Sequence, residues 1–103
     1  MKSFARFKVF VLLLILLLSA AAISAQTPQT LTVFAAASLT DAFEEIATAF
    51  EAEHPGVTIN FNFGGSSTLA TQLVEGAPGD VFASANQRQM SVVIDAGLIT
   101  VEP

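Results

Sequence analysis

The sequence contains no cysteine, tryptophan or tyrosine, and it has only four basic residues against nine acidic ones. Without disulfides, an exported domain of this kind must be stabilised by a hydrophobic core. Three of the four basic residues lie at the N-terminus, so residues 26–103 contain Arg88 and nine acids, a net charge of 1 − 9 = −8. Such an acidic surface repels nucleic acid, and nucleic-acid binding is therefore disfavoured.

The N-terminus has the pattern of a secretory signal peptide. Lys2, Arg6 and Lys8 precede the apolar run Val9–Leu18, and small residues then lead to Ala25. This order predicts a signal peptide over residues 1–25, cleaved after Ala25, and a periplasmic location. The alternative is a membrane anchor, but a spanning helix needs about 20 apolar residues and the run is shorter. A domain of residues 26–103 would bury only about 60% of its unfolded surface and would be marginally stable alone. Because the α/β pattern stops just after Leu98 and Ile99, we expect one incomplete domain.

Strand and helix patterns alternate along the remaining chain. Alternating apolar residues from Val57 to Phe63 predict a strand, whereas Phe43, Ile46, Ala47 and Phe50 recur at helical spacing and predict one buried stripe. The expected order is strand 31–34, helix to about 54, strand 57–63, helix 66–76, strand 81–84 and helix 86–96. This order predicts the α/β class, a parallel sheet with flanking helices.

A serine lies at each predicted strand-to-helix joint, at positions 38, 66 and 84. In a parallel sheet these joints share the carboxyl edge, where open α/β sheets bind ligands. If the first two strands are adjacent, two helix N-termini converge there and offer free N–H groups and serine hydroxyls to a compact oxyanion. The competing interpretation is that Ser38 and Ser66 are ordinary helix caps, with Asp41 completing a capping box. Ser67 is an alternative donor.

The absence of a nearby basic residue limits the chemistry of this edge. Uncharged donors alone favour a fully ionised tetrahedral dianion, since no acceptor for a ligand proton is evident. An exported serine hydrolase is the weakest alternative, because His54 lies at the far end of the helix that begins near Ser38. A metal site at Glu51, Glu53 and His54 is also disfavoured, since a lone histidine near a helix C-terminus is usually structural. No catalytic residue and no cofactor are expected.

Three segments resemble the periplasmic molybdate-binding proteins of ABC transporters. They are VFAAASLT at 33–40, FGGSSTLA at 63–70 and GAPGDVFASA at 76–85. The resemblance implies the first lobe of a two-lobed periplasmic binding protein of type II, as an N-terminal fragment. It also implies that Ser38 and Ser66 bind molybdate or tungstate through hydroxyl and N–H, and that a monomer delivers the anion to a permease in the inner membrane. The third segment is implied to build the lobe rather than to bind.

Two alternatives remain, one because neutral donors suit several small oxyanions and one because the chain is short. The same fold could take sulfate, thiosulfate or another small oxyanion. A chain that ends inside the first lobe could also be a non-binding remnant. Four charge-assisted hydrogen bonds contribute roughly 6–12 kcal/mol, against an estimated cost of about 4–15 kcal/mol for immobilising the ligand. Two serine joints are therefore expected to form only half of a tight site.

Overall fold

The computed structural model describes residues 2–21 and 27–101. In chain order the elements are α1 (Lys2–Ala21), β1 (Gln29–Ala36), a 3₁₀ turn (Ala37–Leu39), α2 (Thr40–Glu53), β2 (Val57–Gly64), α3 (Ser66–Val74), β3 (Val81–Ala83) and α4 (Gln87–Asp95). The alternation of strands and helices predicted from the sequence is confirmed. The first strand is longer than the predicted 31–34, because the pairing with β2 begins at Gln29.

Helix α1 coincides with the basic and apolar parts of the predicted signal peptide. Among the residues that the structure describes, no helix is both long and apolar enough to cross a membrane. The predicted cleavage position after Ala25 lies outside the described residues. The signal peptide and the division of the chain at residue 25 therefore stay predictions.

The three strands form a parallel sheet in the order β2-β1-β3, which confirms the predicted α/β class. The register pairs Ala36 with Gly64, so β1 and β2 end at the same level. At the entrance to β3, Asp80 binds Thr32 twice: the Asp80 N–H donates to the Thr32 carbonyl at 2.9 Å, and Asp80 Oδ2 accepts the Thr32 N–H at 2.8 Å. These two bonds fix the three-residue β3 to the central strand.

The helices cover both faces of the sheet, as the right-handed crossovers of a parallel sheet require. On one face Phe34 packs with residues of α3 and α4 in the core, whose buried members are Phe34, Leu69, Ala70, Leu73 and Val93. On the other face α2 lies over β1 and β2, where Phe43 meets the edge of Phe61 at 6.3 Å between ring centroids. Phe61 in turn stacks on Phe63.

The predicted apolar stripe of α2 is only partly buried. Ala47 is buried, but Ile46 and Phe50 are 59% and 38% exposed. Together with Leu31 and Val81 of the sheet, these two side chains line an apolar groove beside α2. The physical reason is the width of the described sheet: three strands, the last of only three residues, do not extend under the whole stripe.

A glycine in the turn before β3 provides a test of this core. A Cβ at Gly79 would lie 2.8 Å from Leu73 Cδ2 and 3.1 Å from Phe34 Cδ1, whereas a Cβ at Gly65 would come no closer than 3.9 Å to Thr68. We expect Gly79→Ala to lower the free energy of unfolding by about 1–3 kcal/mol through overpacking. Gly65→Ala, the matched control, should change it by less than about 1 kcal/mol, because no clash arises there and the reduced freedom of the unfolded chain opposes the poorer helix cap. Urea unfolding of both variants measures this, and equal stabilities would contradict the packing.

Candidate functional site

The joint after β1 is a 3₁₀ turn that runs directly into α2. Ser38 is the middle residue of this turn and is exposed. The prediction that Ser38 caps the helix is wrong, because α2 begins at Thr40 behind Leu39 and has no side-chain cap. Thr40 instead donates its hydroxyl to the Ala37 carbonyl at 2.8 Å, which closes the turn around Ser38. Within residues 27–101 the Ser38 hydroxyl has no hydrogen-bond partner.

The joint after β2 is shorter, and its glycine is the N-cap. Gly65 has extended backbone angles, φ −64° and ψ 135°, and Ser66 is the first residue of α3. The prediction that Ser66 caps this helix is therefore also wrong. The first helical bond runs from the Leu69 N–H to the Gly65 carbonyl at 3.0 Å. The N–H groups of residues 66–68 consequently have no acceptor within the helix and can bind an anion.

The side chain of Ser66 contacts the third joint of the sheet. Ser66 is 9% exposed, and its Oγ accepts the backbone N–H of Ala85 at 2.9 Å. The bond therefore connects the joints that follow the two outer strands, β2 and β3, which flank β1 on opposite sides. Sequence reasoning missed Ala85, since a backbone donor has no residue-type signal. The segment 76–85, interpreted as lobe-building, therefore also contacts a predicted site residue.

The strand register relates the two serine joints to each other. Ala36 and Gly64 are paired across the sheet, and Ser38 and Ser66 each lie two residues beyond them. Neighbouring strands are about 4.8 Å apart, so the two joints occupy equivalent positions at the end of adjacent strands. The condition set by the sequence, that the first two strands be neighbours, is met. Two sets of N–H and O–H donors therefore follow neighbouring strands at this edge.

The other polar residues near this edge have structural partners. Asn62 donates to Gln72 Oε1 at 2.9 Å and ties β2 to α3. Asn86 is the N-cap of α4, and its Oδ1 accepts the Gln89 N–H at 3.1 Å. Ser67 is an exposed residue of the first turn of α3, where its carbonyl accepts the Thr71 hydroxyl at 3.0 Å. Its own hydroxyl remains the alternative donor that the sequence predicts.

The residues weighed as a metal site or a catalytic base lie elsewhere. His54 follows the last residue of α2 and stacks on Phe50, with 4.2 Å between the ring centroids. Glu51 accepts the Ile59 N–H at 2.8 Å and so satisfies a backbone donor of β2. Arg88 is exposed on α4. The described residues contain no group of three or more histidine, cysteine or acidic side chains that could hold a metal ion.

Comparison with known proteins agrees with this architecture. Residues 31–102 match the family described as bacterial extracellular solute-binding protein, and they include all three serine joints. The chain belongs to this family. Among curated relatives, the molybdate-binding protein ModA of Mycobacterium tuberculosis is 54% identical over 78 residues, which are 76% of this chain and 30% of the relative. ModA of Escherichia coli K12 is 52% identical over 65 residues, 63% of this chain and 25% of the relative.

Two solved structures share the fold. A substrate-binding domain from Clostridium difficile, described as that of a molybdenum ABC transporter, superposes with a TM-score of 0.63 at 37% identity. It covers 65% of this chain and 29% of the other. The sulfate-binding protein SubI of Mycobacterium tuberculosis superposes with a TM-score of 0.64 at 21% identity, over 67% of this chain and 25% of its own, and supports the fold alone. The chain spans about a third or less of the length of these relatives.

The two serines differ in their bonding, which predicts different effects on stability. Ser66→Ala removes the acceptor of the Ala85 N–H and should lower the free energy of unfolding by about 0.5–1.5 kcal/mol. Ser38→Ala removes an exposed hydroxyl that has no partner among residues 27–101, and it should change the free energy of unfolding by less than about 0.5 kcal/mol. Urea unfolding of the two variants beside the wild type measures both. Equal losses would show that the Ser66–Ala85 bond contributes nothing.

Proposed function

We propose that the protein is the solute-binding component of an ABC importer and that it captures molybdate or tungstate. The anion is held at the carboxyl edge of the sheet by Ser38 and Ser66, each through its hydroxyl and a backbone N–H, with Ser67 as a secondary donor. The single observation that supports this most strongly is the register that pairs Ala36 with Gly64 and so aligns the two serine joints. The 54% identity to a molybdate-binding ModA supports the choice of anion.

The charge of the chain supports a site built from neutral donors. With Arg88 exposed on α4, the donors at this edge are hydroxyls and N–H groups. Such donors match a ligand whose oxygens are all acceptors, as in a fully ionised tetrahedral dianion. Molybdate and tungstate are anions of this kind at neutral pH, and so is sulfate. Hydrogen phosphate, in contrast, carries a proton that needs an acceptor.

Tight capture requires more donors than the two joints supply. Four charge-assisted hydrogen bonds contribute roughly 6–12 kcal/mol to binding. The loss of the ligand's translational and rotational freedom costs about 4–15 kcal/mol and largely offsets this contribution. Since the chain spans about 30% of the length of ModA relatives, further donors are expected from a second lobe. In this proposal the protein is exported to the periplasm, acts as a monomer without cofactor or catalysis, and passes the anion to a permease in the inner membrane.

Isothermal titration of the full-length protein with four anions tests the ligand. Molybdate and tungstate should bind, whereas sulfate and hydrogen phosphate should bind more weakly or not at all. Binding of sulfate in preference to molybdate would change the ligand to the alternative oxyanion. A lack of binding by all four anions would contradict the proposed function.

The serines are tested by substitution in the same titration. Ser38→Ala should weaken molybdate binding by about 10- to 150-fold, the equivalent of one charge-assisted hydrogen bond of about 1.5–3 kcal/mol. Ser91→Ala is the matched control, because Ser91 is exposed on α4 and donates only to the Gln87 carbonyl of its own helix. If Ser38→Ala binds as the control does, Ser38 is not a ligand.

A further inference from the structure

We propose that the turn Ser84–Asn86, between β3 and α4, positions the hydroxyl of Ser66 for the anion. This inference rests on the proposed function and concerns a segment that does not itself touch the ligand. Its basis is the 2.9 Å bond from the Ala85 N–H to Ser66 Oγ, which joins residues 19 apart in sequence. Ala85 is a positioning residue in this scheme, and it acts through its backbone alone.

The turn is held on both sides of Ala85. Ser84 Oγ donates to the Asn86 carbonyl at 2.7 Å and accepts the Asn86 N–H at 3.2 Å. Asn86 is fixed in turn as the N-cap of α4, where its side chain accepts the Gln89 N–H. The helix α4 is anchored to the core by Val93, which is 1% exposed. The direction of the Ala85 N–H is therefore set by the core through α4 and the Ser84 side chain.

The bond determines what the Ser66 hydroxyl can do. A serine hydroxyl has one proton to donate and two lone pairs, and the Ala85 N–H occupies one of these lone pairs. The proton cannot then point toward Ala85, and since Ser66 is largely buried, few alternative partners are available to it. Accepting a hydrogen bond also polarises the O–H and makes it a stronger donor. Ser66 therefore presents an oriented donor to an anion oxygen.

The two serines of the site are unequal for this reason. Ser38 is exposed, and within residues 27–101 its hydroxyl has no partner that would orient it. Ser38 must lose rotational freedom when an anion binds, whereas Ser66 has lost it on folding. Preorganisation of this kind raises affinity by lowering the cost of binding. Loosening the turn at Ser84 should thus weaken binding only through Ser66.

A double-mutant cycle in the full-length protein tests this coupling. The variants are Ser84→Ala, Ser66→Ala and the double substitution, with Ser84→Thr to restore the hydroxyl and Ser91→Ala as the control. Molybdate affinity is measured by isothermal titration. Ser84→Ala should weaken binding by about three- to tenfold when Ser66 is present and by less than about twofold when residue 66 is alanine. Ser84→Thr should bind close to the wild type.

A second measurement distinguishes loss of the Ser66–Ala85 hydrogen bond from a general loss of structure. In ¹⁵N-labelled protein, Ser66→Ala should shift the Ala85 amide resonance, and Ser84→Ala should shift it toward the same position, while resonances of the core remain. If the wild type binds but the two substitutions act independently, the positioning role is overturned and the proposed function stands. A wild type that binds neither molybdate nor tungstate overturns both.

Discussion

The parallel pairing of β1 with β2 is the constraint on which the rest of the structure depends. Its register ends both strands at the Ala36–Gly64 pair, so the chain leaves the sheet twice at the same edge and at neighbouring positions. If β2 paired with β1 one residue out of register, each side chain of β2 would face the opposite side of the sheet, and Ser66 would move relative to Ser38. Ala35 and Ala36, both buried, allow the central strand to pass close beneath the covering helices.

The parts of the fold that the sequence predicts well depend on local chemistry. The alternation of Val57, Ile59, Phe61 and Phe63 predicts β2, because a half-buried strand needs that period. The helix predicted from residue 86 agrees with α4, whose N-cap Asn86 accepts the N–H of a residue only three positions away. The apolar stripe of α2 shows the limit of such patterns: periodicity indicates which side of a helix is apolar, but not how far the sheet beneath it extends.

The dependence of these patterns on local chemistry also explains why the predicted serine caps were wrong. Serine at a strand-to-helix joint favours a local cap, since the N-cap preference describes bonds within one helix. In the structure the Thr40 hydroxyl closes the first turn and Gly65 is the N-cap of α3. Ser66 instead accepts a hydrogen bond from Ala85, 19 residues later in the chain. The shared edge of the two joints could be deduced from the parallel topology, whereas their adjacency was only a condition that the strand order meets. The contact with Ala85 could not be deduced, because any residue except proline offers the same N–H.

In the proposed function an acidic chain captures a dianion, and it gains nothing from long-range attraction. The net charge of −8 over residues 26–103 opposes the approach of an anion, so recognition depends on short-range hydrogen bonds. Removing a dianion from water is costly, and neutral donors offset that cost only if they point at the anion's oxygens. Under this proposal orientation replaces charge as the source of affinity, which would give a physical reason for fixing Ser66 through a turn that is itself fixed by the core.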